Sequence, residues 1–348
     1  MHFAFTDQQL EFRDAVRQVL AKECTTDDVR AAYDTPSART ARWATLADLG
    51  VTGLTVPEAR GGLGLGLVDL VPLVEEVGRV ALPEPLTTTT GIAAPLLADL
   101  WTDGADPRLG GWLAAIATGE LTAAVADADR PGGPVAGADG ADLLVLVAPG
   151  PDGLEVHGLD AARCPVDPVS SLDPTRRLGV PEWQPSASTL LASGAAASAA
   201  LACTADRAAV VTGAELLGLA EAMIASTAAY AKDRRQFGVP IGSFQAVKHL
   251  LAGAQVVLEF ARPVVYGAAW AVDERAPDAA RAASVAKAYA SEAALEAARV
   301  SLQVHGAIGY TWECDLHLFL KRSWALAQAW GSAGDHRARL LALLLDEG

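Results

Sequence analysis

Apolar positions near the start of the chain recur at helical spacing. Leu10, Phe12, Val16, Val19 and Leu20 fall close to one face, behind Thr6 with Gln9 three positions later, the pattern of a capping box. A turn-rich stretch, VPEARGGLGLG at 56–66, gives way to VDLVPLVEEVGRVAL at 68–82, and Pro83 and Pro85 then break the helical period. Over 121–200 the texture changes. Short β-type runs at 121–127, 142–148 and 153–159 are separated by DRPGGP and PGPDG, which predicts a small antiparallel β-region. Helical spacing returns from about Thr204, where Val210, Ala214, Leu217, Ile224 and Ala231 share a face. A turn around Gly238, Pro240 and Gly242 precedes a helix from Phe244 through Trp270. Pro277 marks a break ahead of an Ala-rich helix ending near His305, and a last helix is expected after GDHRAR. The pattern predicts a mainly α protein with a β insert: helical over 1–120, a reduced β-domain over 121–203, and a helical bundle over 204–348.

Composition narrows the function classes. The 348 residues are 51% hydrophobic and 20% charged, enough apolar material for a large core, which excludes general disorder. A net charge of −15 argues against a nucleic-acid binder and against anionic membrane surfaces, since both need a basic footprint. A local basic pocket for an anionic ligand stays open. The four cysteines (Cys24, Cys164, Cys203, Cys314) are scattered and do not cluster with histidine, so neither a zinc site nor a disulfide framework is expected. The N-terminus turns polar after five residues, unlike a signal peptide, and no apolar run approaches the ~20 residues of a membrane span. A soluble cytoplasmic protein is the expectation.

Two motifs are rejected on spacing. Gly62-x-Gly64-x-Gly66 follows no clear strand and lacks the third glycine of a dinucleotide fingerprint. Gly331-Ser332-Ala333-Gly334 does not centre its serine between glycines as a nucleophile elbow requires. Two others carry chemistry. Arg234-Arg235-Gln236-Phe237-Gly238 sits where a long helix ends. Its arginine either caps the last helical carbonyls or forks onto a pyrophosphate, with Phe237 against a heterocycle and Gly238 permitting close approach. The segment from Gln303 through Glu313 puts Gly306 and Gly309 at a helix end, either as a C-cap with an aromatic plug or as backbone that meets a ligand.

In order along the chain, VPEARGGLG (56–64), VEEVGRV (74–80), RRQFGVPIGSFQAVKH (234–249), AKAYASEAA (286–294) and QVHGAIGYTWE (303–313) resemble the acyl-CoA dehydrogenase family, in particular its short actinobacterial members. The resemblance implies a helical N-domain, a middle β-domain and a C-terminal four-helix bundle. It also implies FAD as cofactor, an acyl-CoA substrate whose α,β-bond is desaturated, and electron-transferring flavoprotein as acceptor. In that family one protomer lends its Arg-x-x-Phe-Gly and Gln-x-x-Gly-Gly segments to a flavin held mainly by its neighbour. Here Arg234, Gln236, Phe237, Gln303 and Gly306 match that lent half, with Ala307 in place of the second glycine.

The other half departs from the family. Where relatives carry a Thr-Glu-Pro-x-Ala-Gly-Ser-Asp loop, this chain has AVADADRPGGPVAG (124–137), and no later Trp-x-Thr/Ser segment follows. The usual catalytic glutamate position reads Gly331/Ser332. Asp335 lies just beyond, as an N-terminal acid for the last helix. Asp206 near the start of the first bundle helix is the remaining candidate base, with a surface pair to Arg207 as its structural reading, and Glu215 ranks below it. The losses fall on one side of the family's site, which leads to an expectation of a hetero-oligomer with a paralogous partner, an α2β2 heterotetramer of the steroid side-chain type. Two alternatives stand beside it: a self-sufficient homo-oligomeric dehydrogenase with a displaced base, and a non-catalytic scaffold on the same fold.

Overall fold

The computed structural model describes residues 4–35, 37, 39–101 and 106–346. Helix α1 (Asp7–Glu23) starts at the expected capping box: Thr6 Oγ1 accepts from the Gln9 N–H, and the Gln9 amide oxygen accepts from the Thr6 N–H at 2.8 Å. Thr25 and Asp28 repeat the device for α2 (Thr26–Asp34), and Thr40 caps α3 (Ala41–Asp48). The glycine-rich turn that follows is a close-packed one, because a Cβ on Gly62 would lie 2.1 Å from the Val56 carbonyl oxygen. Helix α4 (Leu67–Arg79) is capped from a distant part of the chain, with Asp273 accepting from the Leu67 and Val68 N–H groups at 2.9 and 2.8 Å. Next, α5 (Leu86–Thr88) runs through a π-helical turn at Thr89–Ala93 into α6 (Ala94–Leu100), and α7 (Pro107–Ala117) ends the helical region.

The β-region holds a four-stranded sheet ordered β1 (Ala123–Val125), β2 (Leu143–Gly150), β3 (Gly153–Asp160) and β6 (Leu190–Ala192); β4 (Val166–Pro168) and β5 (Gly179–Pro181) form a separate pair. The sheet is not wholly antiparallel as expected. β1 pairs with β2 in parallel, since the chain between them crosses over through 126–142 rather than turning back in a hairpin. β2 is buried along both faces, which explains its unbroken LLVLVA run.

The bundle begins earlier than the texture change at 204. Helix α8 (Gly194–Asp233) includes the alanine-rich 194–203, whose strong helix propensity outweighs the proline and glycine of the preceding loops. It is followed by the hairpin β7 (Arg235–Gln236) and β8 (Val239–Pro240), α9 (Gln245–Asp273), α10 (Ala279–His305), α11 (Leu316–Gln328) and α12 (Ala333–Asp346). α8, α9 and α10 pack against one another, with α11 and α12 against α10. The last helix starts ahead of GDHRAR, not after it, because Ser332 and Asp335 form its cap.

Contrary to the expectation from sequence, one helix has the length and apolarity of a membrane span. That helix is α8, with mean hydropathy 1.6 in its most apolar window. Of that window 83% is buried within the protein, and residues 208–220 are buried on every side, as befits the central helix of a core. α8 meets α4 at a glycine crossing. A Cβ on Gly218 would stand 1.9 Å from the Glu75 carbonyl oxygen, and one on Gly78 would stand 2.1 Å from that of Glu215. Only hydrogen at both positions lets the two backbones approach so closely.

Candidate functional site

Two separate places carry chemistry. The first is the exposed end of the bundle. α8 stops at Arg234, whose N–H donates to the Tyr230 carbonyl, and the chain turns back through Phe237 and Gly238. With Gln236 opposite Val239, these two residues form the whole loop, at φ 52° and 83°, a pairing that twists with the strands. A phenylalanine in left-handed backbone is strained, and its ring is 92% exposed. The Tyr230 ring stacks on His305 with centroids 4.3 Å apart, which brings the end of α10 beside the end of α8. Gln303 and Ala307 are exposed there, and Gly306 takes φ 64° with no atom within 4 Å of a Cβ built on it. Among the described residues, no acceptor lies within hydrogen-bonding distance of the Arg234 guanidinium; only its backbone N–H caps the helix. Arg234, Gln236, Phe237, Gln303, Gly306 and Ala307 therefore share one end of the bundle. An unpartnered guanidinium, an exposed aromatic face and an open glycine fit the pyrophosphate and heterocycle of a dinucleotide such as FAD.

The second place is a half-open cavity of about 280 Å³. Its walls come from the π-helical turn (Thr87, Thr88, Ile92), the β-region (Val125, Asp127, Arg176), α8 (Thr212, Glu215), α11 (Arg322, Leu326) and Trp330. None of the six residues at the exposed end lines it. Of the carboxylates that do, Asp127 accepts from the Asp129 N–H at 3.0 Å on one oxygen and burial raises its carboxyl, while the other two are fully engaged. Glu84 is clamped by Arg42 at 2.6 Å, deep in the core. Glu215 accepts from the Thr87 hydroxyl at 2.7 Å on one oxygen and from Arg322 at 2.8 Å on the other. Arg322 also bonds Asp173, the Thr175 hydroxyl and the Leu82 carbonyl, and these two acids hold its guanidinium charged despite complete burial.

The turn between α11 and α12 roofs this cavity, and the residues there do not form a base. Trp330 and Gly331 take φ 54° and 91°, and a Cβ at 331 would sit 3.0 Å from His336 Nε2, so this backbone has settled into a form that suits glycine. Lys287, fully buried on α10, donates to the Gly331 carbonyl at 2.9 Å and to the Ala327 carbonyl at 3.3 Å. Burial, aided by Arg176, pushes its ammonium down to about 7. Ser332 and Asp335 cap α12; the Ser332 hydroxyl and N–H hold the Asp335 carboxyl below the usual carboxylate range, and it lines no part of the cavity.

Asp206 is placed outside the cavity as well. It pairs with Arg339 at 2.7 Å, not with Arg207, which reaches Asp99 instead. Burial raises its carboxyl against the opposing pull of Arg339. Arg176, Arg322, Asp173 and Thr87 were not legible as site residues. They sit in three segments without a shared motif, and only the fold brings them together.

Two family models match the chain: the acyl-CoA dehydrogenase N-terminal domain over residues 6–120 and the C-terminal domain over 197–342. The curated acyl-CoA dehydrogenase IpdE2 of Mycobacterium tuberculosis is 35% identical over 325 residues, 92% of each chain. The chain belongs to the acyl-CoA dehydrogenase family. Among solved structures, this family member is similar to the Tcur3481-Tcur3483 steroid acyl-CoA dehydrogenase (TM-score 0.81, 29% identity, 98% of each chain). It also shares its fold with the ChsE4-ChsE5 complex from Mycobacterium tuberculosis (TM-score 0.85, 23% identity, 99% of each chain). FAD is the cofactor the family leads one to expect.

Proposed function

We propose that this chain is the supporting subunit of an FAD-dependent acyl-CoA dehydrogenase, lending half of a shared flavin site to a paralogous partner that carries the base. The observation behind this reading is the separation of the two places. The residues suited to a dinucleotide sit exposed at one end of the bundle, while in the chain's own cavity Glu84 and Glu215 are committed to arginines, the turn at the family's base position carries no carboxylate, and the one carboxylate with a free oxygen, Asp127, lies on the β-region wall instead. A general base needs an unengaged lone pair within reach of substrate, and Glu215 has both oxygens committed. FAD, when bound, accepts the hydride that leaves the β-carbon of the acyl thioester. This chain's part would be to bind and orient it: Arg234 forked on the pyrophosphate, Phe237 against a ring face, and Gln303 and Gly306 along its edge. The paired names of two structural neighbours, Tcur3481-Tcur3483 and ChsE4-ChsE5, and the steroid acyl-CoA dehydrogenase activity named for the first, support reading the assembly as a heterotetramer acting on steroid-derived acyl-CoA thioesters. Electron-transferring flavoprotein as acceptor and a cytoplasmic site belong to the same reading.

The test is flavin content. Expressed alone, the chain should purify with little FAD; co-expressed with its paralogous partner, the assembly should hold about one FAD per two chains. An R234A substitution in the assembly should lower FAD affinity. About one FAD per chain from the chain alone, with turnover, would overturn the reading in favour of a self-sufficient enzyme.

A further inference from the structure

Beyond Ala307 the chain leaves the end of the bundle through a 3-10 turn (Gly306–Tyr310) and reaches α11 by way of Trp312. Tyr310 is 77% exposed and Trp312 65%. A ring so open is ordinarily mobile, yet Trp312 is pinned. The His317 ring stands nearly perpendicular to it with centroids 4.4 Å apart, and the Lys321 ammonium lies 4.2 Å from its centroid. Tyr33 of α2 adds a second perpendicular contact at 6.5 Å. His317 and Lys321 are one turn apart on α11 and share a face, and the same ammonium is 5.1 Å from the Tyr33 ring. Three rings thus surround one cation, each member fixing the others.

The polar groups of this cluster all donate. Arg30 points an N–H at His317 Nε2, 3.2 Å away; a guanidinium cannot accept, so Nε2 does, and the proton of the neutral ring sits on Nδ1. The ring is neutral because burial, Lys321 and Arg30 hold it down to about 4. That Nδ1–H and the Tyr33 hydroxyl are both buried without a hydrogen-bond partner among the described residues. Lys321 is half-buried, so water reaches its ammonium, but no described carboxylate lies within ion-pair distance of it. Asp315 is taken by Arg30 at 2.9 Å and by the Thr26 hydroxyl at 2.7 Å, and Asp173, whose charge reaches Lys321 from further off, by Arg322 and Thr175. A chain with a net charge of −15 presents here a positive, donor-only, aromatic spot.

We propose that Tyr310, Trp312 and Lys321 anchor the paralogous partner subunit, with a carboxylate side chain of that subunit received by Lys321 beside the Trp312 ring. The inference rests on the shared-flavin reading and names a contact within it. Continuity points to this occupant: Tyr310 follows Gly306 by four residues, so a subunit holding flavin along Gln303 and Gly306 extends over it. Shape agrees, since neither cavity of the protein is lined by these residues, and open, fixed aromatics with a cation suit a protein face better than a small molecule. Charge selects the side chain. Donors without acceptors call for an anion, and an ammonium–carboxylate bond is charge-assisted. Because the rings are already held, little side-chain freedom is lost on docking.

The experiment uses the co-expressed assembly of this chain with its paralogue. Carbodiimide, which condenses a touching ammonium and carboxylate into an amide with loss of water, should join Lys321 to an Asp or Glu of the partner; with five lysines in the chain, peptide mass spectrometry assigns the adduct. By sedimentation, W312A should weaken association at least tenfold. K321Q should weaken it severalfold at low salt, and that difference should shrink as salt is added. Unchanged association in both variants, or cross-links to the partner through other lysines and none through Lys321, would overturn the proposal. Should W312A lower the Tm of the lone chain, K321Q and the cross-link decide. The two readings fail differently. FAD acquired only on co-expression, with W312A associating like the parent, removes the anchor and keeps the shared flavin. One FAD per lone chain, or no assembly on co-expression, removes both.

Discussion

The crossing of α4 and α8 predicts that one substitution will have opposite signs at two glycines. Adding a methyl group at Gly218 puts a carbon 1.9 Å from the Glu75 carbonyl oxygen and 2.9 Å from the Arg79 nitrogen. Both are backbone atoms of a packed helix, so no side chain can swing aside; the helices must separate by roughly 1.5 Å to restore an ordinary contact of ~3.4 Å. Overpacking of this kind costs about 1–3 kcal/mol, and sometimes more. Alanine's better helix propensity returns up to ~1 kcal/mol, so G218A should be net destabilising by about 1–2 kcal/mol, toward the upper end of the overpacking range because the clash is with backbone. G111A on α7 is the control. Nothing lies within 4 Å of its Cβ, and only the propensity term remains, which predicts a gain of about 0.5–1 kcal/mol. Denaturant unfolding of both variants beside the parent reads the difference directly. G218A as stable as the parent would show that α4 and α8 do not meet at this point. The separation would also pull Glu215 away from Thr87, so any ligand of the cavity should bind more weakly to G218A.

Other perturbations test the remaining features. R322M strands Asp173 and Glu215 as buried acids and should cost about 3–5 kcal/mol, whereas E215Q, which keeps hydrogen bonds to Thr87 and Arg322, should cost less; thermal unfolding ranks them. Lys287 is held down to about 7 when folded and returns to its ordinary 10.5 on unfolding, so between those values the unfolded chain binds the extra proton. Stability should therefore rise with pH across that window, by at most ~1.4 kcal/mol per pH unit from this group, and K287M should remove that component of the slope. F237N relieves left-handed strain at a 92% exposed position and should leave stability level or raise it by up to ~1 kcal/mol, while lowering the FAD content of the assembly.

The helical framework could be read because its signals are local. Thr6 with Gln9, the breaks at Pro83 and Pro277, and the arrest of α10 at His305 are each set by a few neighbouring residues. The boundary at 204 failed because a window that averages over proline and glycine hides an alanine-rich helix start at Gly194. The parallel pairing of β1 was out of reach for a different reason: nothing in Ala123–Val125 records which way its neighbour runs. At the exposed end of the bundle, Arg234 and Phe237 are adjacent in sequence, and their motif carries its own geometry. The cavity is the opposite case. Arg322 reads as an ordinary surface arginine until the fold buries it, and the fate of Asp206 depended on α12 bringing Arg339 to it.

The two places differ in what holds them. Around the cavity, Arg42 balances Glu84, and Arg322 together with Arg176 balances Asp173 and Glu215, so these groups need no ligand to be stable. At the end of the bundle, none of the described residues engages the Arg234 guanidinium, and Phe237 stays strained and exposed. An arrangement that satisfies itself can persist as scaffold after its chemistry is lost. An arrangement that costs stability and is satisfied by nothing within its own chain is kept by something outside it. That asymmetry is the physical reason to look for the flavin on a partner.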